Sequence, residues 1–326
     1  MGHRDEIMDG IMAFWKSRVI MTGCDIDVFT QIDRKSAGAK EISQELELDE
    51  FALERLLESL AALGFLEKKD GVFSLTELGA LLSSLRSDSI LPMVLHFSEV
   101  WNLWDHLTDV VKAGRRPKSP EHTEDRKSLD SFIGAMDVIG RDLSVEIVRS
   151  LNISGFSRLL DIGCASGTYS VAFLRENPGL NAVLFDLEPV VEIARKRLAA
   201  EDLLDRATLV AGDFYKDELP PGCDLALLSA IIHQNSPSQN LDLFRKIHRA
   251  LLPGGTLIVR DHIMDEARAA PLMGALFALN MLLATPGGDT YTFNELKDTL
   301  EQSGFTSIRL INQGEKMDGL IAAQKP

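Results

Sequence analysis

Residues 159–170, Leu-Leu-Asp-Ile-Gly-Cys-Ala-Ser-Gly-Thr-Tyr-Ser, restrict the architecture of this chain more than any other stretch. An apolar run ends in a turn between Gly163 and Gly167, and a helical pattern follows. Strand, tight loop and helix in that order lay backbone N–H groups and a helix N-terminus against a bound ligand. The same rhythm continues downstream. Strands are predicted at 157–162, 181–186, 207–211, 223–229 and 255–260, with helices at 166–176, 188–201 and 237–251 between several of them. Such alternation builds a mostly parallel sheet covered on both faces. The last two strands, 305–311 and 318–323, are joined by residues 312–317 alone. A connection that short joins only antiparallel neighbours.

The N-terminal third reads differently. In residues 5–22, Ile7, Met8, Ile11, Met12, Trp15 and Val19 recur at three- and four-residue steps. That is an apolar helix, which must bury itself on its own domain or on a partner chain. Within 36–86, a short helix (39–46) precedes one capped by Asp49 and stopped by Gly64. Phe65-Leu66 and Val72-Phe73 then flank a hairpin turn at Lys68-Lys69-Asp70-Gly71, and a further helix starts at Thr76. Helix, helix and β-wing form a winged helix-turn-helix pattern, used either on DNA or as a scaffold and dimer interface. Residues 31–86 hold 11 acidic and 7 basic side chains, so charge decides between the two uses. The candidate recognition helix carries Asp49, Glu50, Glu54 and Glu58 against one Arg55, which would repel phosphate. Residues 88–115 form an amphipathic helical stretch with His96, Trp101, Trp104 and His106, residues 114–120 a linker, and 128–151 a helix. Two domains follow, 1–115 and 116–326.

The net charge of −15 also argues against nucleic acid and anionic membranes as partners. The N-terminus lacks a signal-peptide profile, no apolar run reaches spanning length, and Cys24, Cys164 and Cys223 show no paired spacing. His96, His106 and His122 lack metal-ligand spacing. A metal-free cytoplasmic protein is expected.

A dinucleotide fingerprint requires G-x-G-x-x-G, and here Thr168 stands at the last glycine. The loop fits a shorter pattern instead, with Asp161 leading, Gly163 and Gly167 present, and Ala165 at the middle glycine. Asp186 ends the second strand 19 residues after Gly167, with Leu187 next. A carboxylate there accepts from two ribose hydroxyls, and it can also cap the following helix. After the third strand come Gly212, Asp213 and Phe214: Asp213 is placed to accept from an adenine amino group while Phe214 packs on the ring. Together these point to S-adenosylmethionine (SAM). Residues 159–262 resemble the small-molecule O-methyltransferase family that includes the plant caffeic-acid and animal hydroxyindole enzymes. The N-terminal unit resembles that family's dimerisation domain, and Pro286-Gly287-Gly288 extends the likeness over nearly the whole chain. The resemblance implies a Rossmann-like α/β methyltransferase sheet, mostly parallel, behind a mainly helical winged-helix dimerisation domain. It implies SAM as cofactor, S-adenosylhomocysteine (SAH) as its product, and a small-molecule acceptor. It also implies a homodimer whose N-terminal helices help form the partner's substrate pocket. By the same likeness Gly163, Asp186, Asp213 and Phe214 contact the cofactor, and Ser229 stands where the plant enzymes have a Lys.

Methyl transfer to a hydroxyl needs alignment, exclusion of water and removal of a proton. His233, just past the fourth strand, matches the family's base. Asp261, 28 residues later at the end of the fifth strand, matches an acidic residue that flanks it. The family's second flanking Glu falls on Thr290, with Asp289 next door as the alternative partner, and its Trp after the base is Asn235. A structural role for His233 is the competing reading. His262 ranks behind it, because strand alternation sends Asp261 and His262 to opposite faces. The pocket is expected from residues 90–107 and 272–291, with Trp101, Trp104, Met136, Phe277, Asn280, Met281 and Tyr291 as lining candidates for a flat, apolar, aromatic acceptor. Three other functions fit the same sequence: C- or N-methylation of a quinone- or tetrapyrrole-like molecule, a different reaction near the bound cofactor after loss of methyl transfer, which the missing flanking Glu leaves open, and a ligand-sensing winged-helix regulator.

Overall fold

Local signals start and stop the helices of the N-terminal region. Helix α1 spans His3–Asp25 and α2 Val28–Arg34, while β1 (Ala37–Gly38) leads into α3 (Ala39–Glu45). Asp49 caps α4 (Glu50–Ala62) by accepting from the Ala52 amide at 2.8 Å. Gly64 ends that helix at a φ of +84°, where a side chain would be strained. Strands β2 (Leu66–Lys69) and β3 (Val72–Leu75) form the hairpin, and β1 adds to it in the order β1-β3-β2. Thr76 caps the short helix α5 (Glu77–Ala80). Leu53, Leu57 and Leu60 of α4 pack with Val28, Phe29, Ile42 and Phe73 into one core. On the opposite side of α4, Glu54 and Glu58 pair with Lys68 of the wing. The predicted 88–115 stretch is two helices, α6 (Leu91–Trp104) and α7 (Leu107–Ala113).

The structure, a computed structural model, describes residues 2–114 and 126–326; the linker beyond Gly114 and His122 lie outside the described residues. The chain falls into two units. One takes residues up to Asn102 and the first part of helix α8 (Arg126–Ser150) as far as Val138. The other begins at Leu103 and takes Ile139–Pro326. Among the described residues no helix is long and apolar enough to cross a membrane.

The second unit is an α/β sheet. Its elements are β4 (Arg158–Ile162), α9 (Thr168–Glu176), β5 (Asn181–Asp186), α10 (Glu188–Ala200), β6 (Ala207–Ala211), β7 (Cys223–Ser229), α11 (Pro237–Ala250) and β8 (Leu251–Asp261). Then come β9 (Ile263–Met264), α12 (Leu272–Ala284), β10 (Tyr291–Thr292), α13 (Phe293–Gln302), β11 (Thr306–Asn312) and β12 (Gly319–Gln324). The seven strands lie in the order β11-β12-β8-β7-β4-β5-β6. Those from β8 to β6 are parallel, and β12 and β11 close the sheet antiparallel, as expected. Side chains alternate between two apolar clusters: Leu160, Ile162, Ala226, Leu228, Leu257 and Val259 face one way, Leu159, Leu225, Leu227 and Ile258 the other. Strand order reverses between β4 and β7, so the crevice at their C-terminal ends is where an open sheet binds ligands.

Candidate active site

The turn after β4 is built from left-handed backbone. Gly163 sits at φ +70° and Gly167 at +78°, and Ala165 adopts +48° despite its methyl group. A Cβ on Gly163 would lie 2.6 Å from Cδ1 of Ile231, and one on Gly212 2.5 Å from the Phe185 ring. Backbone thus forms the floor of a cradle at the strand ends. The Ala165 amide donates to Asp186 Oδ2 at 2.9 Å, and the Leu187 amide to Oδ1 at 2.7 Å. Each Asp186 oxygen keeps a further lone pair for a ligand hydroxyl. Burial holds the Asp186 carboxyl above its ordinary range, despite those two amides. Leu187 is half exposed beside it and offers an apolar surface. Asp161 lies underneath, fully buried, with Ser170 Oγ donating to it at 2.6 Å.

After β6, Asp213 pairs with Lys216 at 2.8 Å and accepts from the Tyr215 amide at 2.9 Å, and both hold its carboxyl below the usual range. Lys246 of α11 ties this loop down through the carbonyls of Phe214 and Asp217. The Phe214 ring lies against Tyr215, centroids 4.6 Å apart, and reaches toward Gly163.

His233 stands on the turn that follows β7, a segment that begins with Ala230 at φ +57°. Its Nδ1 is 2.9 and 3.0 Å from the two oxygens of Asp261. That carboxylate is buried, yet its pKa is held low: the imidazole and the His262 amide, which donates to Oδ1 at 2.8 Å, outweigh the desolvation that opposes them. Among the described residues nothing bonds Nε2. Phe277 packs edge-on to His233, centroids 4.9 Å apart. The sequence-based alternative at Asp289 is not formed: its carboxylate pairs with Arg268 at 2.6 Å and accepts from the Thr290 amide. What Asp289 gives His233 is its amide, donated to the His233 carbonyl at 2.9 Å. Gly288 is needed there, because a Cβ would lie 2.3 Å from that carbonyl. The strand ends at Asp261, and the His262 ring packs 5.1 Å from Phe277, the same ring that His233 touches.

Asn235, where the family's Trp is missing, is wholly buried and organises the turn. Its Oδ1 accepts from the Tyr215 hydroxyl at 2.6 Å, and its Nδ2 donates to Asn240 Oδ1 at 2.9 Å. Asn240 in turn donates to the Ile232 carbonyl at 3.0 Å, and the Tyr291 hydroxyl donates to the Asn235 carbonyl. Sequence reading missed this network, although the capping signal Ser236-Pro237-x-Gln239 next to it marks a fixed helix start.

Of the pocket candidates, Phe277 reaches the site, and the Trp104 indole donates to Asn280 Oδ1 at 3.0 Å in the same unit. Met281 is buried, and Tyr291 is spent in the sheet's core. Trp101 and Met136 belong to the first unit, where Trp101 packs with Phe14 and Arg18. Ser229 is partly open at the end of β7, within 3.2 Å of Arg260 Nη1.

Residues 104–306 match the family described as O-methyltransferase domain, and residues 8–84 the O-methyltransferase dimerisation domain. The 3-hydroxy-5-methyl-1-naphthoate 3-O-methyltransferase of Streptomyces sahachiroi is 28% identical over 330 residues, covering 98% of this chain and 94% of that protein. Among solved structures, human N-acetylserotonin methyltransferase in complex with SAM superposes with a TM-score of 0.86 at 23% identity, over 100% of this chain and 99% of that one. PigF with SAH gives 0.88 at 25% identity over the whole of both chains.

Proposed function

Because the chain belongs to the O-methyltransferase family, we propose that it moves the methyl group of SAM to a hydroxyl of a small aromatic acceptor, with His233 as general base. The observation that carries this reading is the His233–Asp261 pair at the strand ends beside the glycine turn. The donor set fits SAM: carboxylates for hydroxyls and an amino group, apolar Leu187 and Phe214 for a flat ring, and bare backbone where the chain must come close. When bound, SAM supplies an electrophilic methyl group on a sulfonium. Asp186 would hold its ribose, Asp213 and Phe214 its adenine, and the turn from Gly163 to Gly167 the remainder. Asp261 fixes a proton on Nδ1 of His233, which leaves Nε2 as the acceptor for the hydroxyl proton. The buried carboxylate also stabilises the imidazolium that results. Phe277 shields the imidazole from water.

The chain acts as a homodimer in this reading. Along α1, Ile7, Ile11, Phe14 and Trp15 are exposed, an apolar face that a second copy would cover, and the dimerisation match includes them. A carboxylated or hydroxylated polycyclic acceptor agrees with the naphthoate named for the Streptomyces relative.

Calorimetric titration tests both halves. Wild-type protein should bind SAH, and Asp186→Ala should weaken binding about 10–100-fold through loss of hydrogen bonds to a charged group. His233→Ala should keep SAH affinity while turnover of an accepted phenol falls at least ~100-fold. A wild-type protein that binds no SAH would sink the cofactor assignment; undiminished turnover in His233→Ala would sink the base.

A further inference from the structure

We propose that Arg260, together with Tyr169 and Ser229, forms a subsite for a ligand carboxylate between the cofactor cradle and His233. The inference rests on the cofactor reading above. Arg260 is 3% exposed, one residue before the end of β8 and on the same face as the apolar Ile258. Alternation along β8 puts it on the side of Ile258 and α9, opposite Asp261. Its guanidinium lies over the Tyr169 ring, 5.3 Å from the centroid. Nη1 donates to Ser229 Oγ at 3.2 Å, whereas Nε and Nη2 have no partner. Among the described residues no carboxylate pairs with it. Asp161, on the same face at the end of β4, is engaged by Ser170.

Other buried polar atoms beside it are also unsatisfied. The Tyr169 hydroxyl lies next to Ser229 without a well-formed hydrogen bond, and Nδ1 of His262, the next residue in the chain, has no partner. A buried guanidinium with open N–H groups is destabilising, and a Val or Leu beside Ile258 and Leu320 would pack here at no such cost. What it offers is a planar fork that matches a carboxylate in bidentate fashion, which a Lys cannot do. Its tip points to Ser229, which is partly open at the strand end, and a long side chain can follow a ligand out to that opening. The place is suited to two sources of a carboxylate. Toward β4 lies the glycine turn, where the amino-acid end of SAM would rest. Toward β9, His262 touches Phe277 and Phe277 touches His233, where an acceptor would sit.

Arg260→Met keeps the aliphatic stem and removes the fork; Arg260→Lys keeps the charge alone. Each is titrated with SAH and with 5′-methylthioadenosine, which shares the nucleoside and thioether but lacks the amino-acid end. SAH-saturated protein is then titrated with 3-hydroxy-2-naphthoate and with 2-naphthol. Thermal melts of the unliganded variants check folding, and Arg260→Met should melt no lower than wild type. Loss of about 10–100-fold in SAH affinity in Arg260→Met, with 5′-methylthioadenosine unchanged and Arg260→Lys intermediate, assigns the subsite to the amino-acid end. Unchanged SAH affinity with selective loss of the naphthoate assigns it to the acceptor. Unchanged SAH affinity with no guanidinium-dependent binding of the naphthoate overturns the proposal. Wild-type protein that binds neither SAH nor 5′-methylthioadenosine overturns the cofactor reading and this subsite with it, a result separate from the preceding one, in which wild type binds SAH.

Discussion

Asp161 carries a carboxyl that burial pushes up to about 6, with the nearby charge of Asp186 adding to the rise. Its folded value lies above its unfolded one, so the folded state holds that proton more tightly. The resulting stability is present at pH 4 and is lost as pH rises through about 6, amounting to about 3 kcal/mol or less. Asp186 is shifted in the same direction. A sulfonium or ammonium bound over these groups favours their ionised forms. SAM affinity should therefore climb between pH 5 and pH 7, with proton release detectable by calorimetry in buffers of differing ionisation enthalpy. Asp161→Asn should flatten that climb and raise the melting temperature at pH 7; an unchanged pH profile in the variant would refute the assignment. At this scale the motif residues were legible because chemistry and spacing coincide in a short window. Arg260 and Asn235 were not, since their partners, Tyr169, Tyr215 and Tyr291, lie 20 or more residues away and only the fold joins them.

The turn that carries His233 is held by an element-level device rather than by one contact. Asn235→Ala would strip the Tyr215 hydroxyl of its acceptor and Asn240 Oδ1 of its donor at once, costing about 2–4 kcal/mol. Its melting temperature should fall, and turnover should fall more than SAH affinity, because the cradle keeps its own bonds. Equal losses in both would mean the network supports the fold alone. Elements with a clear period or cap were readable in the sequence: the five parallel strands, the capped helix α4 and the terminal antiparallel pair. Helix α12, Leu-Met-Gly-Ala-Leu-Phe-Ala-Leu-Asn-Met-Leu-Leu-Ala, has almost no polar face, so periodicity cannot mark it. Helix α13 was missed despite a readable signal, the reciprocal cap between Thr292 and Glu295. The single stretch expected over 88–115 breaks at Asp105-His106, where no Gly or Pro announces the stop.

At the scale of the molecule, the exposed Ile7, Ile11 and Trp15 make α1 the place to test assembly. Ile11→Glu with Trp15→Glu should convert a dimer to a monomer in sedimentation velocity and remove the dependence of melting temperature on protein concentration. Wild-type protein that sediments as a monomer would refute the dimer. The winged-helix pattern was legible as architecture but silent on use; in the fold, Glu54 and Glu58 of α4 pair with Lys68 and Arg55, and the segment matches the dimerisation domain. The order of strands has a consequence for biosynthesis. Val259 of β8 pairs with Ile321 of β12, a residue made 62 positions later. At ~5–20 residues per second a translating ribosome leaves the apolar edge of β8 uncovered for roughly 3–12 s. During that interval neighbouring nascent chains can pair with it, and a chaperone that shields strand edges would be in demand. Asp261 and Arg260, at the end of β8, therefore acquire their final surroundings only when residues 319–324 have left the ribosome, long after the glycine turn that begins the site.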